Sequence, residues 1–146
     1  MADPKQLAKV LQVVATQLEQ AALQLKQAHQ QQALLQQQMA QLQQYRWDYI
    51  SQAQSQVQQT LSANTYQQYH HFIGRLDDTI AAHVGKQRRA SEQVAEAKQQ
   101  WQQVHQRQQA LQLLIDRAQT DQLALQAKRE QAALDEFATM QFVRRR

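Results

Sequence analysis

The stretch Leu61-Ser62-Ala63-Asn64-Thr65-Tyr66 decides the fold, because it is the one place where a long helical pattern stops and another begins. Ser62 and Asn64 favour turns through side chains that compete for nearby backbone groups, and Thr65 with Gln68 has the Thr-x-x-Gln spacing of a capping box. The stretch is expected to be the tip of a helical hairpin. Helix 1 is then expected over about 4–60, the tip at about 61–65, helix 2 over about 66–140 and a basic tail at about 141–146, all one domain.

Each arm carries the pattern that such a hairpin needs. Asp3-Pro4 reads as a helix start, with Asp as N-cap and Pro at the first helical position, where its missing N–H costs nothing. From Leu7 the apolar residues alternate spacings of four and three: Leu7, Leu11, Val14, Leu18, Ala21, Leu25, Ala28, then Leu35, Met39 and Leu42, and after Arg46 again Tyr49, Ala53 and Val57. That is a heptad seam, interrupted at Gln32 and Arg46. A polar residue in a seam lowers stability and fixes register, so Gln32 is expected to be a pairing device.

Helix 2 repeats the pattern through Tyr69, Ile73, Leu76, Ile80, His83, Ala90, Val94, Ala97, Trp101, Val104, Leu111, Ile115, Ala118 and Leu125, with Gln87, Gln108 and Gln122 on the same stripe. Gly74 and Gly85 lie within it, each costing up to ~1 kcal/mol relative to Ala, so the part of helix 2 near the tip is expected to be its softest.

Folding about residues 62 and 63 brings Met1 opposite about residue 124, so helix 2 is expected to overhang helix 1 by roughly 15 to 20 residues. The seam loses its register at the same place. Beyond Leu125 the heptad positions become Arg129 and Glu136, while the apolar residues move to Leu134, Phe137 and Met140. The step from Leu123 to Leu134 is eleven residues, which turns the stripe onto another face. The segment from Leu134 to Val143 is thus an amphipathic end that helix 1 cannot cover, and a candidate to bury against another protein. The fold class expected is all-α: a long antiparallel two-helix coiled-coil hairpin with an overhanging C-terminal helix end. Its paired arms would be ~85 Å long and the overhang would bring it to ~110 Å.

Composition fits this architecture. The 146 residues include two glycines, one proline and no cysteine, and a quarter of them are glutamine. So little punctuation offers no loops for an active site, and so polar a chain suits long, largely exposed helices with a narrow apolar seam. Without cysteine there is no disulfide framework and no thiolate chemistry, which fits a reducing cytosol. No apolar run approaches the roughly 20 residues of a membrane span and no signal-peptide core is present, so the protein is expected to be soluble and unsecreted.

The formal charge of +4 is unevenly placed, in a cluster of Lys86, Arg88 and Arg89 and in Arg144-Arg145-Arg146. Such clusters suit acidic protein surfaces, anionic headgroups or nucleic acid, and charge alone does not choose among them.

No catalytic, cofactor or metal site is expected. His70 and His71 are neighbours and diverge on a helix, and neither has a ligand type at three or four residues; His83 has Thr79 and Gln87 there. Asp77-Asp78 and Asp135-Glu136 are adjacent carboxylates that diverge rather than form an acid/base pair. A phosphate loop, a nucleophile motif and a triad order are all missing, so an enzyme is not expected.

The aromatic residues Tyr45, Trp47, Tyr49, Tyr66, Tyr69, Phe72 and Trp101 lie mainly toward the tip. Tyr49 and Tyr69 occupy seam positions. Phe72 precedes the seam residue Ile73, so it is expected to stand partly exposed beside Leu76, one turn on, as a docking patch, and Phe72→Ala is expected to spare folding.

The run Tyr66-Gln67-Gln68-Tyr69-His70-His71-Phe72-Ile73-Gly74-Arg75-Leu76-Asp77-Asp78-Thr79-Ile80-Ala81-Ala82-His83 resembles the matching stretch of the FliJ family, small coiled-coil components of the bacterial flagellar export apparatus. The upstream Tyr45-Arg46-Trp47-Asp48-Tyr49 is similar to that family's tyrosine pair. Trp101, Lys128-Arg129-Glu130-Gln131 and Leu134-Asp135-Glu136-Phe137-Ala138 match in kind and position, so the resemblance covers nearly the whole chain.

The resemblance implies a flagellar type III export component: a cytoplasmic stalk, similar in architecture to the γ subunit of rotary ATPases and peripherally associated with the inner membrane at the flagellar base. It implies insertion of the end bearing both termini into the export ATPase hexamer, promotion of ring assembly and activity, coupling to the export gate, and binding of export chaperones. By the same resemblance the gate-contacting patch maps onto Phe72, Leu76 and His83, and the ring-inserted end onto Leu7, Leu11, Val14 and Leu18 with Leu134, Phe137, Met140 and Phe142. The alternatives are the equivalent stalk of a virulence type III secretion system or, in a different class, a basic coiled coil that binds nucleic acid or anionic membrane. Nucleic acid is not expected as a partner of the stalk.

Overall fold

The computed structural model describes residues 3–56 and 63–145, all but the two flanking residues in helix. Helix α1 spans Pro4–Gln56 and helix α2 spans Ala63–Arg144, and no strand occurs among the described residues. The fold is all-α, with the two helices packed against each other as a hairpin.

Both helices follow from the sequence. Asp3 caps α1: its Oδ1 accepts from the Lys5 N–H at 3.1 Å and its carbonyl accepts from the Leu7 N–H at 3.1 Å, with Pro4 in the first helical position. Helix α2 begins at Ala63, three residues before the expected Tyr66, which places Thr65 inside the helix rather than at its cap. Residues 61 and 62 of the expected tip, together with Val57 and the rest of the expected end of helix 1, lie outside the described residues. At the other end α2 continues to Arg144, past the expected limit near 140, because no proline or glycine follows to stop it.

The chain divides into two compact units. One is Ala21–Trp101; the other joins the chain up to Gln20 with the chain from Gln102 onward.

In Ala21–Trp101 the α1 stripe Ala21, Leu25, Ala28, Gln32, Leu35, Met39, Leu42, Arg46, Tyr49 and Ala53 is buried or half-buried without a break. The α2 stripe from Tyr69 through Leu76, His83 and Ala90 to Trp101 is covered in the same way. The positions marked as interruptions carry the polar ties between the helices. Gln32 Nε2 donates to Ser91 Oγ at 3.1 Å, and Arg46 Nε donates to Asp77 Oδ1 at 2.6 Å, with Nη2 at 3.5 Å from Oδ2. Against the expected register, the α2 partners of Gln32 and Arg46 lie two residues nearer the turn and those of Leu35 and Tyr49, His83 and Tyr69, seven residues nearer, a shift of up to two helical turns.

In the other unit Leu7, Leu11, Val14 and Leu18 line the covered face of α1, with Val14 only 3% exposed. They lie against a stripe of α2 in which Val104, Gln108, Leu111 and Ala118 are half-buried and Ile115 is buried. The start of α1 shares an open groove with the 114–122 stretch of α2, lined by Asp3, Pro4, Leu7, Leu114, Ala118 and Gln122 among others. This is close to the expected pairing of residue 1 with residue 124. Coverage of α2 stops at Ala118, one heptad before the expected Leu125, and every described residue from 121 to 145 is exposed. Helix α1 starts at Pro4, level with this groove.

The core is thin. Its buried apolar residues are Val14, Ala21, Leu35, Met39, Leu76, Ala90 and Ile115, and none of these is below 3% exposure. Two helices bury one stripe each, so a substitution in the seam removes a sizeable share of the apolar burial, at about 1.5–3 kcal/mol for a full-sized side chain.

Candidate functional site

Two regions stand out: the aromatic end of the Ala21–Trp101 unit and the uncovered end of α2.

In the first, Tyr49 stacks on Tyr69 across the helices, with ring centroids 5.5 Å apart and planes 9° from parallel. Phe72 lies against the same Tyr49 ring at 4.4 Å and meets Tyr45 edge-on at 6.1 Å. Phe72 is therefore half-buried, and its ring is part of the pairing rather than a flank standing free of it. The sequence reading underestimated this. A large ring one residue off the seam reaches sideways to a tyrosine on the other helix, and such ring pairs contribute about 0.5–1.5 kcal/mol beyond area burial. Phe72→Ala is accordingly a stability mutation as well as a surface one. Tyr66 and Tyr69 each meet the His70 ring edge-on, at 4.3 and 5.4 Å.

Leu76 and His83 are core residues, at 8% and 7% exposure. Phe72, Leu76 and His83 therefore do not form one exposed patch, Phe72 alone being partly open. The reason is the heptad itself: Tyr69, Leu76 and His83 are seven residues apart and all face α1. The His83 Nε2–H donates to the Leu35 carbonyl oxygen at 2.7 Å, which gives the buried ring a hydrogen-bond partner. The exposed large side chains nearby are Tyr45, Trp47 and Tyr66, with Trp47 the most open at 65%.

Arg46 and Asp77 form the ion pair of this region, with side chains 39% and 48% exposed. The Asp77 hydrogen bond, reinforced by its charge, raises the Arg46 guanidinium above its ordinary value. Asp77 is thereby a pairing group of the hairpin.

The second region is the end of α2. Leu134, Phe137, Met140, Phe142 and Val143 are each 60% exposed or more, as are Leu123 and, on the same unit, Leu113. Of the residues assigned to ring insertion, Leu134, Phe137, Met140 and Phe142 are thus on the surface. Leu7, Leu11, Val14 and Leu18 instead turn inward, so their side chains hold the helices together. Val10 and Val13, not singled out from the sequence, are the exposed apolar residues of α1 here. Their signal was an apolar pair three residues apart beside the seam.

Among the described residues no cluster of three or more His, Cys, Asp or Glu could hold a metal ion, and no helix is long and apolar enough to cross a membrane. One groove between the helices of the Ala21–Trp101 unit is largely glutamine-lined, by Gln24, Gln27, Gln31, Gln93 and Gln100. What the described surface offers is apolar and aromatic contact area.

Comparison with known proteins agrees with this. No curated protein and no solved structure matches the chain. A family model described as the flagellar FliJ protein does match, over residues 4–146. That range takes in both helices, the aromatic end and the uncovered end alike, and the chain therefore belongs to the FliJ family of flagellar export proteins.

Proposed function

We propose that the chain is a non-catalytic coiled-coil stalk of the flagellar export ATPase, seated in the ATPase hexamer through the uncovered end of α2. The observation that carries this reading is the run of exposed apolar side chains, Leu134, Phe137, Met140 and Phe142, on a helix that α1 leaves bare from residue 121 onward. Leu134, Phe137 and Met140 follow at three-residue spacing on one side of the helix while Phe142 lies on another, so this end is apolar around much of its circumference, a surface for a partner that encloses it. In the ring-insertion role, Leu7, Leu11, Val14 and Leu18 keep the two helices together, and the α2 end makes the contact. The stalk promotes hexamer assembly and ATP hydrolysis, couples the ring to the export gate and binds export chaperones.

The gate-docking surface is placed at the aromatic end, with Phe72 at its half-exposed edge. Leu76 and His83 act there from beneath, by fixing the helix that presents it. The protein works in the cytoplasm, held peripherally at the membrane by these partners.

The test is ATP hydrolysis and hexamer formation by the flagellar export ATPase with the full chain and with a version truncated after Leu125. Stimulation by the full chain that disappears on truncation is expected. No effect of the full-length chain on either assembly or turnover would overturn the reading.

A further inference from the structure

From Leu123 the uncovered part of α2 carries a second heptad seam, Leu123, Ala127, Glu130, Leu134, Phe137 and Gln141, spaced alternately by four and three. On an ideal helix this stripe lies roughly 100° around from the one that ends at Ile115 and Ala118. It therefore does not face α1, and all six residues are exposed. The positions beside it, Ala124, Gln126, Gln131, Ala133, Ala138 and Met140, carry no charge, whereas Lys128, Arg129, Asp135 and Glu136 fall on the opposite side.

We infer that this seam pairs with the same seam of a second copy of the chain, antiparallel, about a twofold axis level with Ala132. In that register Phe137 lies over Ala127, Leu134 over Glu130 and Leu123 over Gln141, so no layer holds two rings or two carboxylates. The flanks bring Ala124 beside Ala138 and Ala133 beside its own symmetry mate. The interface is isologous, as a twofold axis requires.

Charge and size decide the orientation. A parallel pair would set Glu130 against Glu130 and Phe137 against Phe137 in single layers, a like-charge contact and an overfilled one. The antiparallel pair separates both. Leu123, Leu134, Phe137 and Met140, each at least 60% exposed, supply the area. With their neighbours they bury about 1,000 Å² in total, near the lower limit for a specific contact, so the dimer is weak and reversible. Glu130 is what keeps it weak, because it brings a carboxylate into the seam.

The pairing rests on this chain alone. Its consequence for export rests on the ring reading: Leu134, Phe137 and Met140 would serve both contacts, so a paired chain is withheld from the ring.

The test is sedimentation equilibrium of the full-length chain from micromolar to millimolar concentration, with helicity checked for every variant. The wild type is expected to form a reversible dimer at the high end, Glu130→Leu to tighten it about tenfold or more, and Phe137→Asp to remain monomeric with unchanged helicity. Because the natural chain has no cysteine, orientation follows from mixing Ala124→Cys and Ala138→Cys proteins under mild oxidation. A mixed 124–138 disulfide is expected in preference to 124–124 and 138–138. Monomeric wild type and Glu130→Leu at every concentration would overturn the pairing, and so would a preference for the two like-to-like disulfides. Neither result bears on ATPase stimulation by the single chain, so the two ideas fail separately.

Discussion

The Ala21–Trp101 unit and the unit that runs from Gln102 onward are built on the same heptad pattern and differ in what closes it. In the first, the places where the pattern is broken by polar residues are where the helices are tied: Gln32 to Ser91, Leu35 to His83 and Arg46 to Asp77. Its aromatic residues stack on one another across the pair. In the second, the apolar pattern outruns the helix that could cover it, and most of the chain's exposed large apolar side chains lie there. A two-helix hairpin with a thin core spends its polar groups on register where both helices are present, and presents apolar groups where only one is.

The sharpest way to break this contrast is Leu76→Asp. A carboxylate placed in the buried seam has no partner there, and a loss of about 3 kcal/mol or more is expected, seen as a lower melting temperature and lost helicity. An unchanged melting curve would mean that Leu76 does not face α1.

His83→Ala tests the tie at a single hydrogen bond. It removes the donor to the Leu35 carbonyl and opens a small gap, so thermal unfolding should show a destabilisation of about 1–2 kcal/mol.

The glycines move stability the other way. A Cβ at Gly74 or Gly85 would meet nothing within 4 Å, and neither has a positive φ. Each Gly→Ala change should therefore stabilise by about 0.5–1 kcal/mol, and a melting temperature that falls would show that one of these positions is closely approached. This bears on the expectation that the stretch of α2 near Gly74 and Gly85 is its softest, since the gain should appear first in amide-exchange protection around these residues.

The smallest effect is expected at the uncovered end. Phe137→Asp should change the melting of the dilute chain by less than about 0.5 kcal/mol, since the side chain is 61% exposed. Set beside Leu76→Asp, it measures the difference between the units directly: the same kind of substitution, opposite outcomes.

Much of this was legible because heptad spacing is local information. Which α1 residues face inward, from Leu7 to Ala53, follows from 3.6 residues per turn alone, and the structure covers each of them. Asp3-Pro4 as a helix start and the bare end of α2 were legible for the same reason, since capping depends on neighbouring residues and the overhang on counting from the turn. Chain-end chemistry was less so: the stretch from 141 reads as a tail, although α2 runs on to Arg144.

Contacts between residues far apart in sequence stood beyond the pattern. Periodicity placed Phe72 beside the seam, but only the packed hairpin brought Tyr45 and Tyr49 against its ring. The heptad put Leu76 and His83 inward, and the tertiary structure showed what that means for a docking surface: their side chains are spent on α1. Gln32 and Arg46 were visible as breaks in a seam, and the choice of Ser91 and Asp77 as partners came from the register of the folded pair. The sequence by itself determined two amphipathic helices and their inward stripes, because these depend on spacing along one chain, and it marked which end of α2 is left uncovered but fell short of the length. The tertiary structure alone decided which side chains meet across the helices, because that depends on register and on the reach of each rotamer over the gap between them.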